Sequence, residues 1–281
     1  MQILSMHIGC EMTLEATHLS WLKQVGTLTS ACGKPIPTFK LEYDALSHEI
    51  MSAWAKHFRN HYCQDDELQF LKNPLKTKSE YLLTEKFPHV SIAPGPSIRA
   101  GDFAEILVAD YLQFIRNYQV PRTRYDRKAI ANESTKGSDV IAFKKSPDII
   151  SDNDEMLIFE VKAKASESAR ANVLQDAIDH SIKDEIRIAE SLSAMRQKLY
   201  DRRDSDGLQI VDRFQREPDH PCKRRYGAAA VYTESSMHES VVSTSATINH
   251  PSADKLELLL ISGSQLMTLI HELYRRAADE A

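Results

Sequence analysis

The run Leu157-Ile158-Phe159-Glu160-Val161-Lys162-Ala163 constrains this chain more than any other stretch. It reads as a strand, being apolar throughout except for two charges at alternate positions. Successive side chains on a strand point to opposite faces, so residues i and i+2 share a face about 6–7 Å apart. Leu157, Phe159, Val161 and Ala163 then face a core, while Ile158, Glu160 and Lys162 share the other face, apolar at its start and charged at its end. A second strand is read over 139–144, opening on Asp139 in Lys136-Gly137-Ser138-Asp139-Val140-Ile141-Ala142-Phe143. Ser146-Pro147-Asp148 and Ser151-Asp152-Asn153-Asp154-Glu155 form a turn-rich link that makes the two strands a hairpin. Such a hairpin brings Asp139 beside Glu160 and Lys162. Two carboxylates and an ammonium at one sheet end can hold a divalent cation next to a phosphodiester. The competing reading is a solvated strand face, since Glu-x-Lys is a common tripeptide.

A third carboxylate, Glu105, lies on a helix read from Gly101-Asp102-Phe103-Ala104-Glu105 to about Asn117. Apolar residues wrap most of that helix, and Val108, Ala109 and Leu112 are helical neighbours of Glu105. A carboxylate there has to be paired, hydrogen-bonded or metal-bound. The alternative is a capping box, with Asp102 as N-cap and Glu105 three residues on.

A helix with Glu105, then Gly137-Ser138-Asp139, then a strand carrying Glu160-Val161-Lys162, then a long helix resembles the PD-(D/E)XK nuclease superfamily. More particularly it resembles the HamA nuclease family of Hachiman anti-phage defence systems over roughly residues 98–200. The resemblance implies an α/β fold with a restriction-endonuclease-like core, a mixed central sheet flanked by helices, over 97–281. Residues 1–96 form an N-terminal mixed or helical region, either docking a partner or packed on the core. It further implies that Glu105, Asp139, Glu160 and Lys162 are catalytic, and that Asp139, Glu160 and the Val161 carbonyl bind Mg2+ or Mn2+. DNA would be the substrate, and a helicase-like subunit of the same system the partner. A self-sufficient restriction-type endonuclease and a non-catalytic interaction module on the same fold are the alternatives.

With 42% hydrophobic and 27% charged residues the chain reads as an ordinary soluble globular protein, expected in the cytoplasm. Its net charge of −5 argues against a strong free-standing DNA binder, whose grip is largely phosphate neutralisation. Phosphate contacts are therefore sought locally, in Arg122, Arg124, Arg127, Lys128 and Lys136 just before Asp139, and in Lys164. A solvated edge strand is the alternative for that run, and a solvated loop for Lys223-Arg224-Arg225. Gln175 is a further candidate to line the site. No apolar run reaches the ~18 residues of a membrane helix, and no signal peptide is expected. Cys10, Cys32, Cys63 and Cys222 lack CxxC spacing and give no zinc site. His57 and His61, four apart, read as surface histidines.

Elsewhere an amphipathic helix is read over 43–63, with Leu46, Ile50, Trp54 and Phe58 as its apolar stripe. That stripe is either a docking surface or packed on the core. A short helix is expected over 79–85, a loop through Pro88–Pro96, and a strand over 119–130. A long helix is read over 168–200, with Leu174, Ile178, Ile182, Ile186, Ala189 and Leu192 on one face. Residues 201–225 read as loop, 226–233 and 256–261 as strands, and 266–277 as a closing helix.

Overall fold

The computed structural model describes residues 14–146, 151–167, 171–216 and 219–281. Cys10, Pro147, Asp148 and the expected helix start at 168–170 lie outside the described residues. Six strands form one sheet: β1 (Leu22–Thr29), β2 (Pro35–Leu41), β3 (Val140–Lys144), β4 (Glu155–Lys164), β5 (Lys223–Thr233) and β6 (Leu256–Gly263). Their order is β1-β2-β6-β5-β4-β3. The two outer pairs are antiparallel and the three inner pairs parallel. The described α-helices are α1 (His48–Asn60), α2 (Leu68–Leu71), α3 (Lys78–Tyr81), α4 (Gly95–Asp110), α5 (Val173–Ser181), α6 (Asp184–Asp201), α7 (Ser205–Gln215), α8 (Glu239–Val242) and α9 (Leu266–Asp279).

The alternation along β4 separates two cores. Leu157, Phe159 and Val161 pack with residues of α1, α4 and α9, such as Trp54, Phe103 and Leu273. Met156 and Ile158 pack on the other face with Leu174, Leu192 and Phe214 from α5, α6 and α7. Parallel inner strands buried on both faces explain why β5 is apolar from Tyr226 onward. Gly227 is required by this packing, because a Cβ there would lie 2.2 Å from the Phe159 ring.

The N-terminal region contributes to the same sheet and core. β2 pairs with β6, and α1 packs against α9. Trp54 and Phe58 are fully buried, so this part of the apolar stripe faces the protein's own interior. Leu46 precedes α1 and is exposed.

Four expectations need correction. The helix carrying Glu105 begins at Gly95, not Gly101, because Pro96 is tolerated in a first turn that needs no amide donors. Asp102 and Glu105 are therefore mid-helix, and the capping-box reading fails. Residues 119–130 make a single bridge, Gln119 with Phe143, instead of a strand. Their side chains are anchored individually, as described below. The long helix is two helices, α5 and α6, broken after Ser181; the break turns Ile186 and Ala189 outward. Within the expected loop 201–225, α7 forms with Asp204 as N-cap, its side chain accepting from the Gly207 amide at 2.8 Å, and buries Val211 and Phe214.

Candidate active site

The β3–β4 register sets the site. Val140 pairs with Phe159, so one step further Asp139 faces Glu160. Gly137 turns the chain into β3 with φ of +95°, a conformation that L side chains rarely adopt, and a Cβ there would crowd Ser191. The Val161 amide donates to Asp139 Oδ2 at 2.9 Å, fixing the carboxylate beside β4. Lys162 Nζ donates to Glu160 Oε1, and His180 Nδ1, at the end of α5, lies 3.6 Å from the same oxygen. Glu160 is buried, whereas the Lys162 and His180 side chains reach solvent at 27% and 50% exposure.

Glu105 approaches from the opposite side of the sheet, on α4. Arg124 joins the two halves: Nε donates to Glu105 Oε2, Nη2 to Asp139 Oδ1 at 2.5 Å, and Nη1 to the Ser138 carbonyl at 2.7 Å. The Tyr125 hydroxyl also donates to Glu105. Burial pushes the Glu105 carboxyl up to about 8; the Arg124 charge opposes that shift and Asp139 adds to it. Burial, then the Asp139 charge, raises Glu160, with Lys162 working the other way.

Sequence reasoning missed Asp184. It begins α6, is fully buried, and neither carboxylate oxygen has a hydrogen-bond partner. Ser138 sits close enough to favour its ionised form without making a well-formed hydrogen bond. Burial and then the Glu160 charge push Asp184 up to about 7. Its signal was present as His180 and Asp184 four apart, interrupting an otherwise apolar helical face just after the Glu-x-Lys strand. Asp184 thus adds a carboxylate without a hydrogen-bond partner beside Glu160, which is held by Lys162, while Asp139 is paired with Arg124.

The basic run is engaged in several ways. Arg124 is tied to Glu105 and Asp139. Lys128 Nζ is buried on Asp102 Oδ2 at 3.0 Å, and Arg122 on Asp110 Oδ1 at 2.8 Å. These three are thus anchored by carboxylates of the protein itself, buried ones for Lys128 and Arg122 and half-buried ones for Arg124. Arg127 pairs with Glu67 at 3.1 Å on the surface. Lys136 is exposed and lines a cleft with Glu105, Arg124, Asp139, Lys198 and His61. That cleft touches Asp139 but not Glu160 or Lys162. Lys164 is half-buried at the end of β4. Gln175 is held by Asp179 and the Ala246 backbone.

His57 and His61 are not surface residues. His61 is buried, and both rings turn inward towards the fully buried Asp110, because α1 lies against the helix that carries it.

A mixed sheet covered by helices on both faces, with Asp139, Glu160 and Lys162 at the end of adjacent strands, is an α/β protein with a nuclease-like core. A family model described as HamA matches residues 17–277, so the chain belongs to the HamA family. That family is associated with Hachiman anti-phage defence. No curated protein matches the sequence. Among the described residues, no helix is long and apolar enough to cross a membrane.

Proposed function

We propose that the chain is the metal-dependent deoxyribonuclease of a Hachiman system, acting on DNA under the control of a helicase-like partner. The observation that carries this reading is the pairing of β3 with β4, which sets Asp139 across from Glu160 with Lys162 on the same carboxylate. Asp184, buried without a partner, supports a cation at that position.

Asp139, Glu160 and the Val161 carbonyl would hold Mg2+ or Mn2+, with Asp184 as an added carboxylate. Such an ion supplies charge neutralisation at a scissile phosphate and a more acidic water. The protein's own part is positional. The Val161 amide and Arg124 fix the two oxygens of Asp139. Lys162, partly exposed, offsets negative charge that develops on the phosphate. His180 borders Glu160 from the solvent side and can exchange a proton there. Glu105 acts through Arg124, holding the guanidinium against Asp139.

The mild acidity of the chain and the engagement of Arg122, Arg124 and Lys128 with the protein's carboxylates leave it a weak DNA grip of its own. That supports a partner for loading and restraint, over a self-sufficient endonuclease. The test is cleavage of duplex DNA by the purified chain with its helicase-like partner, in Mg2+ and in EDTA. Glu160→Gln and Lys162→Ala are expected to abolish cleavage while keeping the melting temperature near that of the unaltered chain. Full cleavage by Glu160→Gln would refute this site, cleavage insensitive to EDTA would refute the metal, and no cleavage by the unaltered chain would leave the interaction-module reading standing instead.

A further inference from the structure

Where α1 crosses α4, a second cluster lies apart from Asp139 and Glu160. His57 and His61 stand four apart on α1, so their rings share a face, and helical geometry continues through His61. Both present Nε2 to the same point, 3.3 Å apart. Asp110, the last residue of α4, places Oδ1 2.9 Å from His57 Nε2. The three candidate ligand atoms lie within 4.8 Å of one another.

Hydrogen bonding alone accounts poorly for this arrangement. The single His57 Nε2 position faces both an imidazole nitrogen and a carboxylate oxygen. One N–H would have to serve two acceptors, and the His61 lone pair would point at another ring nitrogen. Neighbouring ligands on one tetrahedral ion, with bonds of about 2.0–2.2 Å, are separated by about 3.3–3.6 Å. The 3.3 Å between the two imidazole nitrogens falls in that range; the 2.9 Å to Asp110 Oδ1 is shorter and the group spans up to 4.8 Å, so an ion would draw His61 and Asp110 together as it binds. His18, buried and stacked on Trp54, holds the other oxygen of Asp110 from Nε2 at 3.0 Å. An imidazole that orients a carboxylate ligand from behind is a common outer-shell device of metal sites.

We propose that His57, His61 and Asp110 bind one divalent transition-metal ion of the zinc class, with His18 as a positioning residue. Two imidazoles and one carboxylate suit that class better than Mg2+, which prefers oxygen alone. Three protein ligands leave a further position on the ion, and His61 lines the cleft that also contains Glu105 and Asp139. Arg122 opposes binding. Its Nη2 sits 2.8 Å from Asp110 Oδ1, so an ion takes up a position beside a guanidinium. The ion joins α1 to the helix that carries Glu105, and the site is independent of the nuclease reading.

The test uses the full chain, without an affinity tag of histidines, stripped by chelator and titrated with Zn2+ in a calorimeter. With Mg2+ in excess to fill the oxygen site at Asp139 and Glu160, one equivalent is expected to bind, and to raise the melting temperature. His57→Gln and His61→Ala are each expected to remove that equivalent. His18→Gln should weaken it roughly 10–100-fold, while Arg122→Gln should tighten it. Glu160→Gln should leave it unchanged. If His61→Ala fails to fold, His57→Gln decides, since that side chain is 12% exposed and not part of the sealed core. No uptake of Zn2+, uptake that survives His57→Gln, or uptake lost only with Glu160→Gln would overturn the proposal.

Discussion

Arg124→Ala tests the electrostatic joint between the two faces of the sheet. The guanidinium contacts two carboxylates, Glu105 and Asp139, and the carbonyls of Thr135 and Ser138. Side-chain exposure is 15% for Arg124, 13% for Glu105 and 9% for Asp139, which makes the joint partly buried, closer to buried than to exposed pairs. Removing one partner of a buried pair costs about 3–5 kcal/mol, because the other charge is left without compensation. Here the lower end applies, since Glu105, already pushed up to about 8, can take a proton in the variant. A loss of about 3 kcal/mol corresponds to a melting temperature lower by roughly 6–12 °C. The penalty also has a sign in pH. Without Arg124 the Glu105 carboxyl, already at about 8 through burial, is raised further, so it goes on destabilising the fold as pH rises above that value, where the unaltered chain no longer loses stability. The gap between variant and unaltered chain should therefore be smaller near pH 7 and widen towards pH 9. Adding Glu105→Gln to Arg124→Ala should recover about 1–2 kcal/mol as a coupling energy. Urea melts of the four proteins at both pH values give these numbers. A loss below ~1 kcal/mol, as for exposed pairs, or a gap that does not change with pH would refute the reasoning.

Gly227→Ala places a Cβ 2.2 Å from the Phe159 ring and should cost about 1–3 kcal/mol by overpacking, read from the urea midpoint. Cys32, exposed and held by Ser30 and Thr247, has its thiol lowered to about 6, so its alkylation by iodoacetamide should be half-maximal near pH 6 and fall on further acidification. Cys63, pushed up to about 11 by burial, should stay unmodified in the folded chain; peptide mass spectrometry distinguishes the two. A fragment of residues 97–281 uncovers β6 and α9 and should not give a cooperative melt.

The elements that sequence made legible are those whose pattern is local. β4 has period two and two charges, β3 opens on Gly-Ser-Asp, and α9 repeats at helical spacing, so each lies within a few residues of its reading. The misread elements turn on contacts distant in sequence. Arg124 and Lys128 look like a solvent-facing basic run until α4 is known to pass beneath them with Glu105 and Asp102. Residues 119–130 alternate as a strand does, yet side-chain anchors replace the ladder. α7 was hidden by its charges, although Asp204 followed by Leu208, Val211 and Phe214 carries a cap and a stripe. The His57–His61–Asp110 cluster joins residues from two helices, and nothing in the text of either helix announces the other.

The pairing of β2 with β6 has a consequence in time. Thr38 aligns with Leu260, more than two hundred residues later in the chain. At ribosomal rates that separation is about 10–45 s of synthesis. The β1–β2 hairpin is born early, and the edge it offers to β6 waits unpaired through that interval. The strands that carry Asp139 and Glu160 are adjacent in sequence and can meet long before. Closure of the sheet, and with it the packing of α9 against α1, thus waits for the synthesis of residues 256–279.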